Sequence, residues 1–164
     1  MKPVILPVGE NKLDVYEDAY HQIDALITDE PDRIANLSNF VSVLKYSLRY
    51  VSWVGFYLLH GEELVLGPFQ GKPACVRIKL GKGVCGAAAS GRQTILVPNV
   101  AEFPGHIVCD ADARSEIVVP VYARGIVCGV LDVDSTELNA FDSTDKLNLE
   151  RLAELVSNKV FSVS

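Results

Sequence analysis

Glu116-Ile-Val-Val-Pro-Val-Tyr122 and Ile126-Val-Cys-Gly-Val-Leu-Asp-Val133, joined by Ala123-Arg124-Gly125, decide the fold. Both runs are rich in β-branched residues, and the three residues between them suit a tight turn, so they read as an antiparallel hairpin. Pro120 cannot donate to a ladder, which requires a bulge or an exposed edge on its strand. Working back towards the N-terminus, Trp53-Val-Gly-Phe-Tyr-Leu-Leu59 and Glu63-Leu-Val-Leu-Gly-Pro-Phe69 form a second hairpin about His60-Gly61-Glu62. Cys75-Val-Arg-Ile-Lys-Leu80 alternates, with Val76, Ile78 and Leu80 expected on one face. Thr94-Ile-Leu-Val97 is a brief strand, and a long loop runs from Pro98 to Asp112.

The period changes outside these strands. Tyr16, Tyr20, Ile23 and Ile27 recur at helical spacing, as do Ile34, Leu37, Val41, Leu44 and Leu48, with Asp32 placed to cap the second helix. The small residues of Val84-Cys-Gly-Ala-Ala-Ala-Ser90 suggest a short helix packed close to the sheet. A last helix begins after Phe141-Asp142 and buries Leu149, Leu152, Val156 and Val160. Helices first, hairpin-connected strands next and one helix last predict an α+β domain with an antiparallel sheet. The chain reads as one domain over 1–164, with about 1–12 as an N-terminal extension. At this size folding buries roughly 68–70% of the unfolded chain's surface, enough for a sound core.

Composition excludes several classes. A net charge of -6 and the absence of a basic stripe argue against a nucleic-acid partner. No run of eighteen apolar residues appears, so no membrane span is expected. The stretch Met1 to Glu10 has an apolar run too short for a signal-peptide core, and a cytoplasmic location is the expectation. In that reducing compartment cysteines are explained by packing, metal binding or redox chemistry rather than by structural disulfides.

Cys128 lies in an apolar run and reads as a small core residue, whereas Cys75, Cys85 and Cys109 lie beside loop-forming residues, where substrates can reach. Gly81-Lys-Gly83-Val-Cys-Gly86 matches G-x-G-x-x-G, but a dinucleotide fingerprint needs a parallel βαβ unit. A tight loop that brings Cys85 close to another backbone fits better. Cys75, Cys85, His106 and Cys109 could supply zinc ligands, yet the usual C-x-x-C pair is missing. An amidase reading on Cys109 and His106 lacks a specified oxyanion hole and orienting group.

Asp132 and Asp134 are two apart in a strand and so project to one face, with Glu116 near them across the hairpin. Three carboxylates together need a proton, a cation or an ammonium group between them, unless they are merely solvated strand ends. Beside a reactive cysteine they favour a pocket that receives an amine or protonates an oxygen. Trp53 and Tyr57 share a face four residues apart; such a pair is more often core than pocket, but an aromatic wall also suits a methyl or thioether group.

The chain resembles the free methionine-(R)-sulfoxide reductases, a family built on the GAF fold, from about Trp53 to Val156. The resemblance is carried by Trp53-Val-Gly-Phe-Tyr57, Leu66-Gly-Pro-Phe-Gln-Gly71, Pro73-Ala-Cys75, Gly81-Lys-Gly-Val-Cys85-Gly86, His106-Ile-Val-Cys109-Asp110, Ser115-Glu116-Ile-Val-Val-Pro120 and Gly129-Val-Leu-Asp-Val-Asp134. It implies a six-stranded antiparallel sheet with N-terminal and C-terminal helices packed on it, usually in a homodimer. It also implies Cys109 as the attacking cysteine, Cys85 and Cys75 as resolving positions with Cys85 the favoured direct partner, and Glu116, Asp132 and Asp134 as the acidic substrate holders. Trp53 and Tyr57 match the wall around the substrate's S-methyl end. The implied activity is reduction of free methionine sulfoxide through a sulfenic acid and a disulfide, recycled by a thioredoxin-like reductant, with no metal or organic cofactor and a role in the oxidative stress response. The rival readings are a sensory GAF module that binds a small ligand without turnover and a redox-sensing interaction protein; both leave methionine sulfoxide unreduced.

Overall fold

Ala123 and Ile126 pair across a two-residue turn in which Arg124 and Gly125 have φ of 51° and 81°. That left-handed pair gives the turn a twist matching its flanking strands, so the hairpin read from the sequence closes tightly. The computed structural model describes residues 11–162. Its elements are α1 (Lys12–Ile27), α2 (Arg33–Ser47), β1 (Trp53–His60), β2 (Glu63–Gln70), β3 (Arg77–Lys79), α3 (Gly83–Gly91), β4 (Ile95–Val97), β5 (Ser115–Ala123), β6 (Ile126–Ser135) and α4 (Ser143–Val156). A single 3-10 turn, Val100–Glu102, interrupts the β4–β5 connection, and a π turn, Ser157–Phe161, ends α4.

The strands form one six-stranded antiparallel sheet in the order β3-β2-β1-β6-β5-β4, as the resemblance implies. Its central strands are covered on both faces, which explains why they are apolar almost throughout. On one face Val54, Phe56, Ile117, Val119, Val121, Leu131 and Val133 pack with the inner faces of α1, α2 and α4. On the other, Trp53, Tyr57, Val118 and Val130 pack with Val84, Cys85, Ala88 and Ala89 of α3 and with Val97 and Val100. The period-2 alternation of each strand therefore assigns one residue set to the helical core and the next to the face beneath α3.

Pro120 has its required exception. Strand β4 reaches only Val118, so it leaves the outer edge of β5 beyond that point unladdered, and the register shifts between Val121 and Tyr122. There the Tyr122 backbone N–H donates to Ser157 Oγ at 3.0 Å instead of to a strand.

Caps fix the helix starts. The Asp32 side chain accepts from the Ala35 N–H, and Asp142 forms a capping box with Asp145. Asp145 is fully buried; it accepts from Tyr16 Oη at 2.9 Å, from Lys12 Nζ at 2.6 Å and from Tyr50 Oη, which ties α1 to α4.

Three expectations are corrected. Ile34 is exposed, because the first turn of α2 overhangs the core that Leu37, Val41 and Leu44 fill. Val76 is exposed as well: β3 spans only three residues and buries Ile78 alone. Cys128 is half-buried at the core's margin, with its thiol 3.5 Å from the Val121 carbonyl and its pKa raised by burial to about 11. The expected N-terminal extension falls largely outside the described residues. No helix among those residues is long and apolar enough to cross a membrane.

Candidate active site

Three rows of side chains lie on the α3-covered face, and Trp53, Tyr57, Glu116, Asp132 and Asp134 among them line a cavity. Trp53, Asp134 and Glu116 lie side by side across β1, β6 and β5; Gly55, Asp132 and Val118 form the next row, and Tyr57, Val130 and Pro120 the third. Gly55 leaves room for the indole of Trp53 to lie along the strand. A Cβ there would stand 2.4 Å from Trp53 Cη2 and 2.6 Å from Phe69 Cβ. The indole stacks on Phe69 and Tyr57, with ring centroids 5.4 Å and 6.0 Å apart. Trp53 Nε1 donates to the Lys72 carbonyl at 3.0 Å, and Tyr57 Oη donates to the Cys75 carbonyl at 2.9 Å. The aromatic pair is thus both core and cavity wall, and it anchors the loop that carries Cys75.

Glu116 and Asp132 are each 6% exposed. Burial pushes the pKa of both well above the usual carboxylate range; Asp134 adds to this at Glu116, and Glu116 adds to it at Asp132. Asp134 is raised by burial and then by Asp132 and Asp110. Such shifts favour the protonated carboxyl, the form that can donate a proton. The expectation that these three residues lie together across the hairpin is met. Cys85, on the first turn of α3, points its thiol at them, with Sγ 4.0 Å from Glu116 Oε1. Burial, followed by the charges of Asp132 and Glu116, raises its pKa well above the usual thiol value. Cys85, Glu116 and Asp132 bring one sulfur and two carboxylate oxygens within 4.8 Å of one another. Their burial favours protons as the species that neutralise them.

The glycine run works as a close-packing loop. The Gly81 N–H donates to the Gly86 carbonyl at 2.9 Å, and a Cβ on Gly86 would stand 2.4 Å from the Lys79 carbonyl oxygen. Strands β3 and β4, on either side of α3, lie at opposite edges of the antiparallel sheet, so the parallel βαβ unit of a dinucleotide site is absent among the described residues.

Cys109 is bonded to Cys75, with Cα atoms 5.3 Å apart, and Cys85 is a free thiol. This pairing departs from the expected preference for Cys85 as the direct partner. The reason lies in the supporting elements: Cys85 is fixed in a buried helical turn facing the carboxylates, whereas Cys75 and Cys109 sit on two loops that meet. Lys72 holds the same two loops together through Asp112 and, at 3.7 Å, Asp110. Both disulfide cysteines are partly exposed. The four-ligand zinc set is not assembled, since two of its sulfurs are joined to each other.

The sequence offers His106 as a zinc ligand, as an amidase base and as the first residue of a motif that carries the resemblance, with no role of its own. It lines the cavity, with Nε2 3.5 Å from Glu116 Oε2, and burial lowers its pKa. Its spacing from Cys109 is visible in the sequence, but its approach to Glu116 comes from the fold of the β4–β5 loop. The cavity that Trp53, Tyr57, Cys85, His106, Cys109 and the three carboxylates enclose amounts to about 40 Å³, room for a few waters when the disulfide is closed.

The GAF domain model matches residues 32–160. The GAF domain-containing protein A of Dictyostelium discoideum is 48% identical over 149 residues, which cover 90% of this chain and 94% of that protein. The free methionine-R-sulfoxide reductase of Escherichia coli (strain K12) is 44% identical over 142 residues, covering 87% of this chain and 86% of that one. The X-ray structure of free methionine-R-sulfoxide reductase from Neisseria meningitidis in complex with its substrate superposes with a TM-score of 0.92 at 42% identity, covering 97% and 95% of the two chains.

Proposed function

The chain belongs to the GAF domain family and, within it, to the free methionine-R-sulfoxide reductases, and from that premise we propose that it reduces free L-methionine-(R)-sulfoxide to methionine with Cys109 as nucleophile and Cys75 as its first resolving partner. The observation that carries this reading is the Cys75–Cys109 disulfide beside a floor of buried, proton-holding carboxyls. A sulfoxide oxygen leaves poorly unless protonated, and burial favours the acid form of Glu116 and Asp132 that supplies the proton.

In the reduced protein the Cys109 thiolate attacks the sulfoxide sulfur while a carboxylic acid protonates the oxygen. Transfer of the oxygen to Cys109 leaves methionine, a sulfenic acid on Cys109 and one carboxylate. The Cys75 thiol condenses with the sulfenic acid, which forms the disulfide and releases water. The two cysteine thiols supply both electrons. The stacked rings of Trp53 and Tyr57 receive the S-methyl end, and the carboxylate that remains ionised among Glu116, Asp132 and Asp134 receives the substrate ammonium. A peptide-bound methionine sulfoxide lacks that ammonium, which favours the free amino acid. A thioredoxin-like dithiol reaches the partly exposed disulfide and resets it by thiol–disulfide exchange. Cys85 lies too deep for an external reductant and acts as part of the carboxylate wall.

Turnover with each free methionine sulfoxide epimer, in the presence of a dithiol, tests the function. Methionine from the R epimer alone is the expected result. Methionine from neither epimer would leave a ligand-binding module.

A further inference from the structure

Each reduction removes a proton from the carboxylate floor, and that proton must be replaced. The step consumes a thiolate, a sulfoxide and one proton and yields a thioether and a sulfenic acid, so the donor ends as a carboxylate. Glu116 is walled in by the sheet and by α3, and its neighbours Asp132 and Asp134 are themselves buried or part-buried carboxyls, not bases that gather protons from solvent. Among the described residues, His106 is the one basic side chain recorded within ion-pair range of Glu116, with Nε2 3.5 Å from Oε2. Its side chain is 14% exposed, so part of it reaches solvent.

We propose that His106 is the proton relay of this site, passing protons from solvent to Glu116 as Glu116 protonates the sulfoxide oxygen. The inference rests on the sulfoxide reductase reading of the cavity. Burial lowers the pKa of His106 and raises that of Glu116, so burial opposes a charged pair at this contact. A neutral imidazole accepts a proton on one nitrogen and gives one from the other, which is what a relay needs. The 3.5 Å separation is long for a hydrogen bond and shortens as Glu116 becomes a carboxylate, since charge-assisted bonds are the shorter ones. The titratable groups that share the cavity with His106 are Glu116 from β5, Asp132 and Asp134 from β6, Cys85 from α3, Tyr57 from β1 and Asp110 from its own loop. None of these is basic.

The test compares wild type, His106→Gln and His106→Ala in multiple-turnover methionine release with a saturating dithiol between pH 6 and 9. Gln keeps an amide nitrogen for Glu116 but cannot pass a proton. The relay predicts kcat lowered by about 10–100-fold in both variants, at or below the lower end of what general acid–base groups contribute, with unchanged KM and with the Ala variant restored by added imidazole. A Gln variant within twofold of wild type across the pH range, or an Ala variant that imidazole does not restore, overturns the relay alone. Wild-type protein that releases no methionine overturns the reading of the site and the relay with it.

Discussion

Glu116 faces Asp134 directly across the β5–β6 ladder, and Asp132 lies one step along, opposite Val118. Like groups opposite one another in a sheet repel when ionised, and these are buried as well. Burial and mutual repulsion therefore both oppose ionisation of this cluster.

On the proposed mechanism, sulfoxide chemistry and stability make opposite demands on Asp132. Its folded pKa is raised by burial and then by Glu116, well above the unfolded value of about 3.9. Between those two values the native state binds more protons than the unfolded state, so stability is complete below about pH 4 and declines as pH rises towards the folded pKa. Asp132→Asn should remove its share of that decline. At pH 8 the variant should melt higher than wild type, at about 2–4 °C for each 1 kcal/mol; at pH 4 the difference should vanish, and turnover should fall sharply. Scanning calorimetry at the two pH values measures this.

Gly86 sets the depth of α3. A Cβ there meets the Lys79 carbonyl at 2.4 Å, and backbone cannot move aside as a flexible side chain can. Gly86→Ala should cost about 1–3 kcal/mol in urea unfolding, as overpacking does. It should also lift Cys85 from Glu116 and so raise its labelling by a thiol reagent in the folded protein.

Trp53→Phe should separate the wall from its tether. The phenyl ring keeps an aromatic surface for the S-methyl group but loses the bond from Nε1 to the Lys72 carbonyl, which secures the loop leading to Cys75. A destabilisation of about 0.5–1.5 kcal/mol is expected for the lost bond. Disulfide closure after a single turnover should slow more than substrate KM rises.

Asp145 is the contrasting case, a buried carboxylate with structural work only. It accepts bonds from Tyr16, Tyr50, Lys12 and the Asp142 N–H. Asp145→Ala should cost about 1–3 kcal/mol, the penalty for leaving a buried donor such as the Tyr16 hydroxyl without its acceptor, with kcat unchanged in the fraction that remains folded.

The two hairpins, the caps at Asp32 and Asp142 and the carboxylate trio were legible in the sequence because each depends on local spacing and on the two-residue period of a strand. Ile34 and Val76 were misplaced for the same reason: periodicity says which residues share a face, not how far the neighbouring layer extends over them. The partner of Cys109 could not be read from spacing, since Cys75 is 34 positions away and the choice depends on where two irregular loops meet. His106 belongs to the same class. Its partner Glu116 is ten residues on, beyond a loop whose path no pattern specifies. Trp53 and Tyr57 looked like core more than pocket, and they are both, because Gly55 lets one indole serve the sheet and the cavity together.

The most direct measurement is to give the fully reduced protein one equivalent of free methionine-(R)-sulfoxide without reductant, then quench, label the thiols and map the disulfides by mass spectrometry. The account predicts one Cys75–Cys109 disulfide per methionine released, with Cys85 recovered as a free thiol. A Cys85–Cys109 disulfide as the first product, or methionine released with Cys75 and Cys109 still reduced, would contradict it.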